Sequence, residues 1–122
     1  MIGFLEVLFF AAATTSAREQ STPTRPSYVA WKAYGDCVRL TALQLEPSAA
    51  TPDDLVRAAE TSCADKRIQA FQKLSTEFRA RNGGSTQKAE SYAYEMLDGG
   101  IQPTRDDIRL RVLNIRAGRL VK

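Results

Sequence analysis

Residues 37–63 read CVRLTALQLEPSAATPDDLVRAAETSC, and this stretch decides the fold. Its first half ends at Glu46-Pro47, because a proline cannot continue a helix. Its second half restarts at Thr51-Pro52, where a threonine suits the helix cap and a proline suits the first helical position. The acidic pair Asp53-Asp54 complements the dipole of that first turn. The stretch therefore predicts a helix, a short loop and a second helix.

The two cysteines lie at similar heights on this helix-loop-helix. Cys37 precedes Glu46 by 9 residues and Cys63 follows Pro52 by 11 residues. At a rise of about 1.5 Å per residue, both thiols lie roughly 13 to 17 Å from the loop, so a disulfide is sterically reasonable. Closing a loop of about 27 residues stabilises a fold by roughly 3.5 kcal/mol in the chain-entropy model. The wide spacing and the absence of histidine argue against a redox pair or a zinc site.

Apolar residues recur at helical spacing on both sides of the loop. Ser27 is predicted to cap the first helix, and Cys37 lies at the edge of its apolar stripe. That stripe consists of Trp31, Tyr34, Val38, Ala42 and Leu45. The second helix carries an apolar face of Leu55, Val56, Ala59 and Cys63. Two such faces predict helices that pack against each other.

The apolar face shifts just beyond Cys63. An uninterrupted helix would turn the next apolar residues away by roughly 110°. We therefore predict a break between Ala64 and Arg67, with Asp65 as the new cap and a stop at 82–84, where the sequence is Asn-Gly-Gly. The shifted apolar set is Ile68, Phe71, Leu74 and Phe78. Arg67 is either exposed or a buried cation that reaches a carboxylate such as Asp36.

Two further helices are predicted. Ser85 is expected to cap a third helix that stops at 98–100, where the sequence is Asp-Gly-Gly. Its predicted buried residues are Ala89, Tyr92, Ala93, Met96 and Leu97. Thr104 is expected to cap a fourth helix that ends at Ala117-Gly118, although residues 108–112 alternate as in a strand. A helix is favoured, because a lone strand would leave its backbone unpaired. The sequence thus predicts an all-α domain of about four helices over residues 27–122.

The N-terminal residues point to export. Residues 1–17 form a short apolar run followed by small residues, the pattern of a secretory signal peptide. Residues 18–26 are polar, contain two prolines and predict a flexible linker. An uncleaved membrane anchor and an N-terminal helix packed on the domain are the alternatives. Periplasmic or secreted localisation is favoured, because a cysteine pair in a small exported protein usually forms a disulfide.

The basic C-terminal segment, residues 104–122, carries the excess positive charge. The chain has a net charge of +3, and this segment holds six basic and two acidic residues. It predicts contact with an anionic surface or protein partner, with a solvated chain end as the alternative. Aromatic residues are not interleaved there, so nucleic acid is not a predicted partner. The candidate contact residues are Arg105, Arg109, Arg111, Arg116, Arg119 and Lys122.

No catalytic, cofactor-binding or metal-ligating residue is predicted. The absence of histidine excludes Ser-His-Asp and Cys-His catalysis, and no nucleophile elbow or glycine-rich phosphate loop is present. The pairs Asp53-Asp54 and Asp106-Asp107 each follow a predicted threonine cap. Their favourable interaction with the helix dipole in the first turn is therefore enough to explain them. Trp31 and Tyr34 could line a ligand groove, but an aromatic stripe at helical spacing favours the core. Residues 83–85, Gly-Gly-Ser, are interpreted as a helix stop rather than an anion-binding nest.

The hairpin resembles that of a known group of proteins. Its pattern of one tryptophan, two cysteines and an alanine-rich turn resembles small uncharacterised exported (periplasmic) helical-hairpin proteins of alphaproteobacteria. The resemblance covers about 40 residues and implies a periplasmic hairpin without a known activity. It rests on Trp31, Cys37-Val38, Ala42, Pro47, Asp54-Leu55-Val56, Ala58-Ala59 and Cys63.

These observations favour a non-catalytic exported protein that acts by binding a partner, which is anionic if the basic segment makes the contact. An enzyme of an unrecognised type is one alternative, and a deep polar pocket with perturbed carboxylates would favour it. A disulfide-stabilised structural subunit is the other, and a stable oligomer would favour that function.

Overall fold

The computed structural model describes residues 25–121, which fold into four helices with no strand among them. The all-α prediction is confirmed. The predicted signal peptide, most of the predicted linker and Lys122 lie outside the described residues. The helices are α1 (Pro26–Leu45), α2 (Pro52–Ser62), α3 (Ala64–Asn82) and α4 (Thr86–Val121).

The four helices pack as three roughly aligned segments, because α2 and α3 follow each other end to end. We call α2 and α3 together the second leg of the bundle, between α1 and α4 in chain order. Cys37 lies beside Cys63 and Ser27 beside Glu77, so this second leg runs antiparallel to α1. Trp31 lies against Gly100 and Arg39 contacts Asp107, so α4 runs parallel to α1. The core between the legs includes Tyr34, Val38, Leu55, Leu97, Ile108 and Val112.

The predicted disulfide is present. Cys37 and Cys63 are joined with a Cα–Cα distance of 6.1 Å, and Cys63 is buried. The Thr41 hydroxyl lies 3.6 Å from the Cys63 sulfur. The bridge therefore ties the middle of α1 to the junction between α2 and α3.

The two predicted helix starts of the hairpin have different outcomes. Thr51 caps α2 by accepting a hydrogen bond from the Asp54 amide at 3.2 Å, with Pro52 at the first position as predicted. The prediction that Ser27 caps α1 is wrong, because α1 already begins at Pro26. The amide and hydroxyl of Ser27 instead donate to Glu77 at 2.6 and 2.8 Å. The Ser27 hydroxyl, which the sequence predicted to cap α1, therefore binds a carboxylate of α3 instead.

The break beyond the hairpin falls one residue earlier than predicted, at Cys63, where φ is −97° and ψ is 18°. Asp65 does not cap α3, because Cys63 occupies the cap position. The shifted face buries Leu74 and half-buries Phe71 and Phe78, as expected. Ile68 is 51% exposed, which contradicts its predicted burial, and Ala70 takes the inner position.

Arg67 beside the break is half-buried and reaches a carboxylate, as in the second alternative, but that carboxylate is not Asp36. Its guanidinium lies 5.7 Å from the Tyr94 ring centre and 3.6 Å from Asp98. Both partners lie on α4, so Arg67 links α3 to α4 rather than to Asp36 on α1.

The third and fourth predicted helices are one helix of 36 residues, α4. Ser85 precedes it and accepts from the Lys88 amide at 3.2 Å, as expected for a cap. The predicted stop at 98–100, the predicted cap at Thr104 and the predicted end at Ala117-Gly118 are wrong. The inward positions continue without interruption through the glycines and Pro103, so core packing sustains the helix. These inward residues are Ala93, Leu97, Ile101, Thr104, Ile108 and Val112.

Candidate functional site

The arginines of the basic C-terminal segment make ion pairs within the chain. Arg105 contacts Glu60 at 2.6 Å, Arg109 contacts Asp53 at 2.6 Å and Arg111 contacts Asp107 at 2.9 Å. Contact with an anionic partner stays a prediction, but these guanidinium groups already have carboxylate partners. The pair Asp106-Asp107 was predicted in the first turn of a helix but lies inside α4. Asp106 accepts a hydrogen bond from Arg109, and Asp107 pairs with Arg111.

Glu46 is the most buried carboxylate of this network. Its side chain is 3% exposed and accepts hydrogen bonds from Arg119 and from Arg116, the latter at 3.1 Å. The hydrogen bonds from Arg119 hold the pKa of Glu46 below its ordinary value against the opposing effect of burial, and Arg116 adds to the shift. Arg116 also donates to the backbone carbonyls of Glu46 and Ser48. These hydrogen bonds hold the C-terminal part of α4 against the loop that follows α1.

Asp107 has a similar role near the middle of α4. Burial by itself would raise the pKa of Asp107, but hydrogen bonds from Arg111 and Arg39 outweigh it and leave the pKa below its ordinary value. The Arg39 contact, at 3.1 Å, joins α4 to α1. These carboxylates have structural partners on neighbouring helices.

A second feature is an open groove between α1, α3 and α4, with a volume of about 500 Å³. The Tyr28 and Trp31 rings of α1 lie 6.4 Å apart along one side. On the other side, the Tyr92 ring stacks on Phe78 at 4.5 Å. We call this feature the aromatic groove, and it is lined by Tyr28, Trp31, Leu74, Tyr92, Met96, Gly99 and Gly100, with Arg25, Ser27, Arg81 and Glu95.

Gly100 sets the position of the indole ring in the aromatic groove. A β-carbon at Gly100 would lie 2.7 Å from Trp31 Nε1, closer than any packed side chain tolerates. Trp31 donates to no acceptor among residues 25–121, and no described side-chain donor or acceptor is both buried and unpaired. Within the described residues, the indole N–H therefore has no acceptor, and Trp31 lines the groove.

Pro103 removes the helical donor of one backbone acceptor near the groove, the carbonyl of Gly99. In a helix the carbonyl of Gly99 would accept from the amide four residues later, but Pro103 has no N–H. Gly99 lines the groove, and a β-carbon there would meet nothing within 4 Å. Among residues 25–121, the aromatic groove thus combines an indole N–H that has no acceptor with a carbonyl that lacks its helical partner.

Sequence reasoning identified part of this site. The sequence favoured the core for Trp31 and Tyr34, with a groove as the alternative. Tyr34 is 2% exposed and lies in the core, whereas Trp31 lines the groove. Tyr92 and Met96 were predicted to be buried, but Tyr92 is half-buried and Met96 is 45% exposed beside the groove. The signal that could have found the groove is the apolar spacing of α4, which continues past Gly99-Gly100.

The described residues hold no group of three or more His, Cys, Asp or Glu side chains placed to bind a metal ion. Over the same part of the chain, no helix has the length and apolar character needed to cross a membrane. Gly83 and Gly84, with φ of 67° and 87°, form the predicted helix stop after α3.

The chain matches no protein-family model, no curated protein and no solved structure.

Proposed function

We propose that this protein is a non-catalytic binding protein of the periplasm or the extracellular medium, and that it holds its partner in the aromatic groove. The apolar residues 1–17 followed by small residues support export. The disulfide between Cys37 and Cys63 suits an oxidising compartment.

The observation that carries the proposal is the placement of helix-breaking residues in α4. Glycine in a helix interior costs about 1 kcal/mol relative to alanine, and proline costs about 3 kcal/mol. Gly99, Gly100 and Pro103 lie within five residues of one another inside α4, and the two glycines line the groove. Local sequence choices that weaken a fold are expected at functional sites. The open space beside Gly99, the close approach of Trp31 to Gly100 and the missing amide donor at Pro103 follow directly from these three residues.

The groove supports this function better than the basic C-terminal segment does. Arg105, Arg109, Arg111, Arg116 and Arg119 already contact carboxylates of the same chain. Binding an anionic partner through them would first break those pairs. The aromatic groove needs no such rearrangement, because Trp31 and Met96 are accessible as they stand.

A blocked groove tests the proposal. Gly99→Leu places a side chain in the open space of the groove, and leucine favours the helix, so the variant should fold. Gly118→Leu is the matched control, because Gly118 also lies in α4 with nothing within 4 Å of its β-carbon position but is not a groove residue. The probe is the neutral dye N-phenyl-1-naphthylamine, titrated by fluorescence.

We expect the wild type and Gly118→Leu to bind the dye with equal affinity and Gly99→Leu to bind it at least about tenfold more weakly, a loss of ~1.4 kcal/mol. Equal dye binding by all three proteins, or no dye binding by the wild type, would exclude the aromatic groove as a binding site. A stable oligomer that buries the groove would instead favour the structural subunit.

A further inference from the structure

The polar atoms of the aromatic groove indicate which class of ligand it takes. The Trp31 N–H is a donor without a partner among the described residues, and the Gly99 carbonyl is an acceptor that Pro103 has deprived of its helical partner. Both residues line the same groove. A peptide group carries a C=O and an N–H and can satisfy a donor and an acceptor together.

We propose that the ligand is an extended apolar segment of a partner polypeptide, bound through its backbone to the Trp31 N–H and the Gly99 carbonyl. This inference rests on the proposed function of the groove and adds the chemistry of its ligand. The partner's backbone C=O accepts from Trp31, and a backbone N–H donates to Gly99. Unpaired backbone groups are a known basis for the capture of extended peptides.

The apolar walls suit the side chains of such a segment. Tyr28 and Tyr92 present aromatic rings, and Met96 adds a flexible thioether that adapts to different shapes. A volume of about 500 Å³ accepts a few residues rather than a folded domain. The groove is therefore suited to one or two apolar side chains and the peptide groups between them.

The hydrogen-bonding groups of the groove, rather than its charges, favour a peptide over an anionic amphiphile. Arg25 and Arg81 lie at the groove together with Glu95, and no ion pair joins Glu95 to either arginine within the described chain. The two arginines could accept the negative head group of a fatty acid or phospholipid, but the acyl chain would leave the Trp31 N–H and the Gly99 carbonyl unpaired. A peptide satisfies both the indole N–H and the Gly99 carbonyl, and it tolerates a rim of both signs.

The test compares two capped peptides of the same side chains. The first is acetyl-Ala-Leu-Phe-Leu-Ala-amide, and the second is the same peptide with N-methyl groups on its three central amides. N-methylation removes the N–H donors and keeps the apolar side chains. Palmitate is the amphiphile probe, and isothermal titration calorimetry measures binding to the wild type, to Trp31→Phe and to Gly118→Leu.

We expect the unmodified peptide to bind the wild type and Gly118→Leu equally. The N-methylated peptide and the Trp31→Phe variant should each weaken binding about tenfold, the effect of one lost hydrogen bond. Equal affinity for both peptides would overturn the proposed backbone contact.

Binding of palmitate or of the neutral dye without binding of either peptide would overturn the peptide inference and leave the groove function standing. Absence of all binding would reject both proposals. In a further variant, a Gly-Ser linker replaces residues 18–24. If the peptide binds only to this variant, the groove is assigned to the chain's own N-terminal segment, and the proposal of a partner polypeptide is overturned.

Discussion

At the scale of single residues, two neighbouring glycines have different roles in α4. Gly100 lies under the indole of Trp31, where a β-carbon would come within 2.7 Å of Nε1. Gly99 has open space at the same position. One glycine is required by packing, and the other keeps the groove open.

Alanine substitutions should separate these roles. Gly100→Ala gains about 1 kcal/mol of helix propensity, but overpacking a rigid indole costs about 1–3 kcal/mol, so we expect a net destabilisation of about 1 kcal/mol. Gly99→Ala should stabilise the protein by up to ~1 kcal/mol. Urea unfolding followed by far-ultraviolet circular dichroism measures both. A stabilised Gly100→Ala variant would show that Trp31 does not pack on that glycine as described.

Glu46 provides a pH test at the same scale. Its pKa is lowered from an ordinary 4.5 by Arg119 and Arg116, so the folded state binds its proton less readily than the unfolded chain. Its contribution to stability is therefore present above about pH 4.5 and is lost as the pH falls through the lowered pKa. We expect Glu46→Gln to be less stable than the wild type at pH 7, with the difference shrinking below pH 4.

Urea midpoints measured from pH 7 to pH 3 check this expectation. The control is Glu90→Gln, since Glu90 is exposed and makes no ion pair with the described residues. Its urea midpoint should follow that of the wild type throughout. A difference between Glu46→Gln and wild type that stays constant over the whole range would argue against the Glu46 ion pairs as the cause.

At the scale of elements, the hairpin was predictable because its signals are local. Thr51, Pro52 and the two acids act within one turn of α2, and the cysteine spacing follows from helix rise. The length of α4 was not predictable from the same kind of signal. Gly99-Gly100 is typical of a helix stop, but packing of Trp31 and the buried Ile101 and Ile108 overrides local preference.

The disulfide joins α1 to the second leg, and it should contribute a large part of the free energy of unfolding. Changing Cys37 and Cys63 together to alanine should destabilise the protein by about 3.5 kcal/mol, within a range of about 2–5 kcal/mol. Urea unfolding with and without dithiothreitol measures the effect. The wild type should lose stability in the reductant and the double variant should not. Insensitivity of the wild type would contradict the bridge.

Replacing Pro103 should raise the stability of the protein and lower its affinity for the peptide. Pro103→Ala restores an N–H for the Gly99 carbonyl and removes the steric conflict of the ring, so α4 should gain about 2 kcal/mol. The same change occupies the acceptor that we assign to the ligand, and peptide affinity should fall about tenfold. Thermal unfolding and calorimetry measure the two effects. Unchanged affinity in a stabilised variant would remove the Gly99 carbonyl from the site.

At the scale of the whole molecule, the site depends on contacts that no single stretch of sequence encodes. The aromatic groove takes its walls from α1, α3 and α4, and the Ser27–Glu77 contact joins two of them at one end. The sequence marked Trp31 as a candidate, but its neighbours Met96 and Gly100 are 65 or more positions away along the chain. Their meeting follows from the parallel register of α1 and α4.

The most direct test of the groove is a nuclear magnetic resonance titration of ¹⁵N-labelled protein with acetyl-Ala-Leu-Phe-Leu-Ala-amide. The chain has one tryptophan, so a single indole signal reports on Trp31. We predict that this signal moves downfield as the N–H gains an acceptor, and that the amides of Tyr28, Gly99 and Gly100 shift with it while that of Gly118 stays in place. An indole signal that does not move while amides of residues 105–119 shift would contradict the account.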